Sequence, residues 1–156
     1  MTVDTGSQYE KLIESALRNH STYDFEAQYD LGIKPSGKRH RADIFLVNTK
    51  EVISLKTQSV GGTSEEKIPY EVYVLQHAVN KGNCKSATIV LHGNGWREKD
   101  WYLSGEFCFN MNCPDVKIID HDEFMKEYID HSICRNDKVG LEKFFVRICC
   151  DDNDNQ

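Results

Sequence analysis

Asp43 and Lys56 stand thirteen positions apart in two apolar runs, RADIFLV and EVISLKTQ, and Glu66 and Glu71 follow close behind. Carboxylates beside a lysine suit a divalent cation and the water it activates. The cation takes oxygen ligands, and the ammonium orients the water or steadies negative charge as it develops. On a strand, side chains two apart share a face, so Ser54, Lys56 and Gln58 point one way while Ile53 and Leu55 point into the core. A twisted hairpin can then bring the Asp43 carboxylate beside Lys56. Lys38, Arg39, His40 and Arg41 cluster immediately before Asp43, where they can serve as a phosphate grip or as a solvated loop.

The elements that must hold these groups are legible from periodicity. GSQYEKLIESALRNH repeats Tyr9, Leu12, Ile13, Ala16 and Leu17 at helical spacing, with Ser7 as a cap and Glu10 three residues on. Tyr23, Phe25, Ala27 and Tyr29 alternate, as in a half-buried strand. Gly32, Pro35 and Gly37 mark a turn. HRADIFLVN and EVISLKTQ, joined by Asn48, Thr49 and Lys50, read as an antiparallel hairpin. After the Gly61-Gly62 loop, Ile68, Val72, Leu75 and Val79 form the stripe of a helix. Its start is set either by a Thr63/Glu66 capping box or, nearer Ile68, by Pro69. SATIVLHG reads as a buried strand and VKIID as another. HDEFMKEYIDHSI reads as a helix capped near Asp120, while LEKFFVRICC fits no pattern clearly. The order α-β-β-β-α-β, then a further strand and helix, predicts an α/β layered domain.

At 156 residues, with 39% hydrophobic and 28% charged, the composition is that of one ordinary globular domain. It is read as residues 1–150 followed by an acidic disordered tail, 151–156. No apolar run approaches the roughly 20 residues that cross a bilayer. The polar opening MTVDTGSQYE carries no secretory signal, so an intracellular protein with no membrane partner is expected. Six cysteines lack zinc-ligand or disulfide spacing and read as reduced thiols. The net charge of −6 argues mildly against a nucleic-acid partner, but the Lys38–Arg41 cluster weakens that objection. The histidines are scattered, and Gly61-Gly62 lacks a phosphate-loop signature. Trp96 and Trp101 read as core or interface residues, with base stacking as the alternative.

Asp43, the string Ser54-Leu55-Lys56 and this element order together resemble the PD-(D/E)XK nuclease superfamily. The resemblance spans about Tyr9 to Val90 of the chain. It implies a restriction endonuclease-like αβββαβ core, with a central mixed sheet flanked by helices. It also implies hydrolysis of DNA phosphodiester bonds with Mg²⁺ (or Mn²⁺). Ala42 replaces a frequent proline, and Ser54 replaces the motif's second acidic residue. One branch of restriction enzymes with this fold shares the serine-x-lysine arrangement and takes the missing carboxylate from the helix that follows. Glu66 and Glu71 are the candidates here, so the implied metal set is Asp43 with Glu66 or Glu71, and Lys56 completes the catalytic group. Glu10 falls where relatives carry an accessory metal-site glutamate, and Gln58 would hydrogen-bond phosphate or water. Lys38, Arg39, His40 and Arg41 would contact the DNA backbone. SLKTQ followed by GGTSEEKIPYEV is similar to small stand-alone nucleases of phages and other viruses. Cutting both strands would require a homodimer or higher assembly, with the aromatics of residues 96–109 as interface material. A catalytically inactive nuclease-fold module that serves in DNA binding or assembly is the alternative that Ser54 favours, and the residues do not separate DNA from RNA.

Overall fold

A computed structural model describes residues 5–135. LEKFFVRICC, the vicinal Cys149-Cys150 pair and the acidic tail lie outside these residues. The chain opens on α1 (Gly6–His20), whose cap is Thr5 rather than Ser7. The Thr5 hydroxyl accepts the Gln8 N–H and the Gln8 side chain returns to the Thr5 N–H, a reciprocal box worth about 1 kcal/mol. Of the helical stripe of the sequence, Tyr9, Ile13, Ala16 and Leu17 are buried and Leu12 is half-buried.

Three antiparallel strands follow: β1 (Phe25–Ile33), β2 (Arg39–Leu46) and β3 (Glu51–Thr57). In β1 the expected alternation fails, because Ala27 is exposed and Gln28 takes a left-handed φ of 52°. The register between β1 and β2 shifts again between Asp30 and Ile33. After β3 a 3-10 turn (Thr63–Lys67) leads into α2 (Ile68–Asn80), with Pro69 in its first turn. Helix α2 therefore begins at Ile68, as Pro69 implies, and no side chain caps the 3-10 turn. A proline ring fits the first turn, where its missing N–H is not needed.

β4 (Ser86–His92) lies parallel to β3 along its whole length, from Glu51↔Ser86 to Thr57↔His92. Two short helices, α3 (Lys99–Leu103) and α4 (Glu106–Asn110), occupy the stretch that carries both tryptophans. β5 (Val116–Asp120) then adds parallel to β4, and α5 (His121–Tyr128), shorter than the run to Ile133 that the sequence suggests, is the last element among the described residues, with the Asp120 carboxylate accepting the Glu123 N–H. The five strands stand in sequence order.

Parallel strands need cover on both faces, and this sheet has it. On one face Phe45, Val52, Ile89 and Leu91 pack with Ile68, Val72 and Leu75 of α2, joined by Tyr102 and Phe107 of α3 and α4. On the other, Ile44, Ile53, Leu55 and Val90 pack with α1 and with Phe124 and Tyr128 of α5. Each fully buried Ile, Val or Leu contributes about 1.5–3 kcal/mol, so the stripe of α2 seats that helix firmly. Cys84, Cys108 and Cys113 are free thiols. Among the described residues, no helix is long and apolar enough to cross a membrane.

Candidate active site

The β2–β3 ladder pairs Ile44 with Ile53, Phe45 with Val52 and Leu46 with Glu51. One residue beyond it, the Asp43 side chain stands in for a strand carbonyl: Oδ2 accepts the Leu55 N–H at 2.7 Å. This bond fixes a carboxylate at the point where the ladder ends, one residue from Lys56.

The other wall is α2. Ser54 Oγ donates to Glu71 Oε1 at 2.8 Å, and Lys56 Nζ lies 3.7 Å from Glu71 Oε2. Glu71 therefore brings a carboxylate from the helix to the serine and lysine of β3, one oxygen to each. Asp43 feels both Glu71 and Glu10. Its carboxyl is raised to about 6, chiefly by burial and further by Glu10 and Glu71, against the downward pull of the Leu55 N–H and Lys56. Glu10 is steered by Gln28, whose Nε2 donates to Glu10 Oε2 at 3.3 Å, while the Gln28 carbonyl accepts from Arg41 at 3.4 Å. The left-handed backbone of Gln28 is uncommon for a residue with a side chain, and no sequence signal marks it.

The structure thus brings Asp43, Ser54, Lys56 and Glu71 together, with Glu10 in electrostatic reach. Glu66 stands apart, exposed on the 3-10 turn. Its neighbour Glu65 accepts the Arg97 and Glu98 N–H groups ahead of α3. The polar face of β3 is not open to solvent as its alternation suggests. Ser54 and Gln58 are 3% and 5% exposed, because α2 and the loop after β4 cover them. Gln58 donates from Nε2 to Gly95 O at 2.7 Å, and its Oε1 is buried without a hydrogen-bond partner. A Cβ on Gly93 or Gly95 would come within 2.4 Å of the Gln58 or Val60 carbonyl oxygen, so that loop needs glycine to close on β3.

The basic cluster divides. Lys38, Arg39 and Arg41 are exposed, and Arg39 pairs with Asp30 at 3.1 Å. His40 is buried. Desolvation lowers its pKa, opposed by Glu71 and reinforced by Lys34, Lys56 and His77. Unlike the other three, His40 is withdrawn from solvent and lies within the electrostatic reach of Glu71 and Lys56. On the opposite sheet face, the Tyr9 hydroxyl is hydrogen-bonded to His121 Nδ1 at 2.8 Å, and its ring stacks on His92 with centroids 4.1 Å apart. These contacts hold α1, and with it Glu10, against the ends of β4 and β5. Both histidines thus serve packing, a role that their scattered positions in the sequence do not announce.

Among the described residues, no three His, Cys, Asp or Glu side chains form a cage for a metal. The donor set nevertheless fits a hard divalent cation of the magnesium kind, which binds through one or two carboxylates and fills its remaining positions with waters and phosphate oxygens. Burial above all, and to a lesser degree the carboxylates of Glu10 and Glu71, raise Asp43, an electrostatic demand such an ion would meet. A family model described as a PD-(D/E)XK nuclease superfamily domain matches residues 2–128. No curated protein matches.

Proposed function

Because this chain belongs to the PD-(D/E)XK nuclease superfamily, we propose that it is a metal-dependent endonuclease that hydrolyses DNA phosphodiester bonds. The observation that carries this reading is Glu71, shared between Ser54 Oγ and Lys56 Nζ within the electrostatic field of Asp43. It restores the acid that Ser54 removes from the motif. Asp43 and Glu71 would hold Mg²⁺ or Mn²⁺, with Glu10 as an accessory acid. Such an ion supplies Lewis-acid polarisation of the scissile phosphate. Lys56 would hold the attacking water and place a positive charge beside the phosphate oxygens. The Leu55 N–H keeps the Asp43 carboxylate in one orientation, so little reorganisation accompanies substrate binding. Lys38, Arg39 and Arg41 would hold the phosphate backbone. One such site cuts one strand, so a double-strand break requires a second copy, with exposed Trp101 and Phe109 as contact material.

The test is the whole chain incubated with supercoiled plasmid and Mg²⁺ or Mn²⁺, beside Asp43→Ala and Lys56→Ala. Nicked or linear product from the wild type alone supports the proposal. DNA retained on the protein with no product in either metal would instead assign it the role of a non-cutting nuclease-fold module.

A further inference from the structure

Helix α2 seats itself with Ile68, Val72 and Leu75, so its outer face owes nothing to the core. That face carries Tyr70 and Tyr73, one turn apart and 49% and 52% exposed. A single exposed aromatic is ordinary; this pair has a setting that is not. Tyr70 immediately precedes Glu71, and Lys34 from the turn between β1 and β2 reaches over its ring, with Nζ 5.7 Å from the centroid. Lys34 and Lys56 both act on His40, as does Glu71, so the Lys34–Tyr70 pair stands at the rim of the carboxylate site. Lys67, exposed just ahead of α2, lies three positions before the first tyrosine in the sequence.

An aromatic face with cations around it matches a base and its phosphate. Paired DNA cannot use such a face, since its bases are stacked on each other. A duplex could use a tyrosine only through the hydroxyl, as a donor to phosphate. We propose that Tyr70, supported by Tyr73 and Lys34, is a stacking platform for an unpaired base next to the scissile phosphate, so that the substrate is single-stranded or branched DNA rather than blunt duplex. This rests on the nuclease reading for its reacting phosphate but not for its binding.

The probe is a DNA oligonucleotide carrying 2-aminopurine, single-stranded or in a matched blunt duplex, titrated with the whole protein in Ca²⁺. Wild type is expected to bind the single strand more tightly than the duplex and to quench the probe. Tyr70→Ala should lose roughly five- to a hundredfold in affinity together with the quenching, whereas Tyr70→Phe keeps both. Equal affinity and quenching in Tyr70→Ala would overturn the proposal. So would an equal loss in Tyr70→Phe, which identifies a hydroxyl–phosphate contact, and so would preference for the blunt duplex or no binding at all. Quenching without cleavage of the single-stranded oligonucleotide in Mg²⁺ or Mn²⁺ leaves the platform standing and removes the nuclease reading. Cleavage without quenching does the reverse.

Discussion

The Glu71 carboxylate meets Ser54 with one oxygen and Lys56 with the other, whereas Glu66 is exposed five residues earlier. Under the proposed chemistry the two acids differ sharply. Glu71→Gln should lower plasmid cleavage on the order of 100-fold, and Glu66→Gln should leave it unchanged; initial rates in Mg²⁺ measure both. A loss of activity in Glu66→Gln alone would move the missing acid to the 3-10 turn. Asp43 makes a second prediction, about the protein without metal. A carboxyl raised from its ordinary 3.8 to about 6 in the folded chain favours the native state while it is protonated. That contribution is full below pH 3.8 and is lost as pH rises through about 6, an effect on the order of 1–3 kcal/mol. Asp43→Asn, which keeps an acceptor for the Leu55 N–H, should therefore be more stable than wild type at pH 7.5 without divalent ions. The gain should shrink to nothing near pH 4. Urea unfolding in chelator at the two pH values checks the sign.

At the scale of elements, the end of β3 is held by the loop that leaves β4. Gln58 N donates to His92 O, Gly95 N to Gln58 O, and the Gln58 amide to Gly95 O. This clamp works because the loop's glycines lie against bare backbone. In Gly95→Ala the new Cβ would sit 2.4 Å from the Val60 carbonyl oxygen, and backbone gives way less readily than a flexible side chain. A loss of about 1–3 kcal/mol is expected, read as a lower denaturant midpoint with an unchanged slope. Gly93→Ala carries an added cost, since its φ of 95° is left-handed. Wild-type stability in Gly95→Ala would show that the loop moves freely and that Gln58 is not clamped.

At the scale of the whole molecule, one mixed sheet separates two apolar layers, and its strands are unequally protected. β3 and β4 have a neighbour on each edge and are covered on both faces. β1 lies on an edge, with a left-handed Gln28, a register shift and mostly exposed side chains. Amide exchange should therefore be slowest in β3 and β4, approaching the global unfolding free energy, and should be clearly faster in β1. Uniform protection across the five strands would contradict this gradient. Under the proposed chemistry, Ser54 and Lys56 would stand on the better protected strand, and β1 with the basic turn would form the less protected side of the site. A side of that kind suits binding of a variable phosphate backbone.

Short-range signals made much of this protein legible in the residues themselves. The stripe of α1, the Pro69 start of α2, the Asp120 cap of α5 and the two runs holding Asp43 and Lys56 depend on neighbours a few positions away. Local sterics and hydrogen bonding decide such features. The Thr5 cap and the β1 backbone departed from expectation where two local choices were nearly equivalent, or where a bulge broke the period. Tertiary packing alone selected Glu71 to meet Ser54, buried His40 and Gln58, and joined Tyr9 to His121 across 112 positions. Those outcomes turn on which helix face meets which strand, a matter of long-range burial and electrostatics that no short stretch of chain encodes.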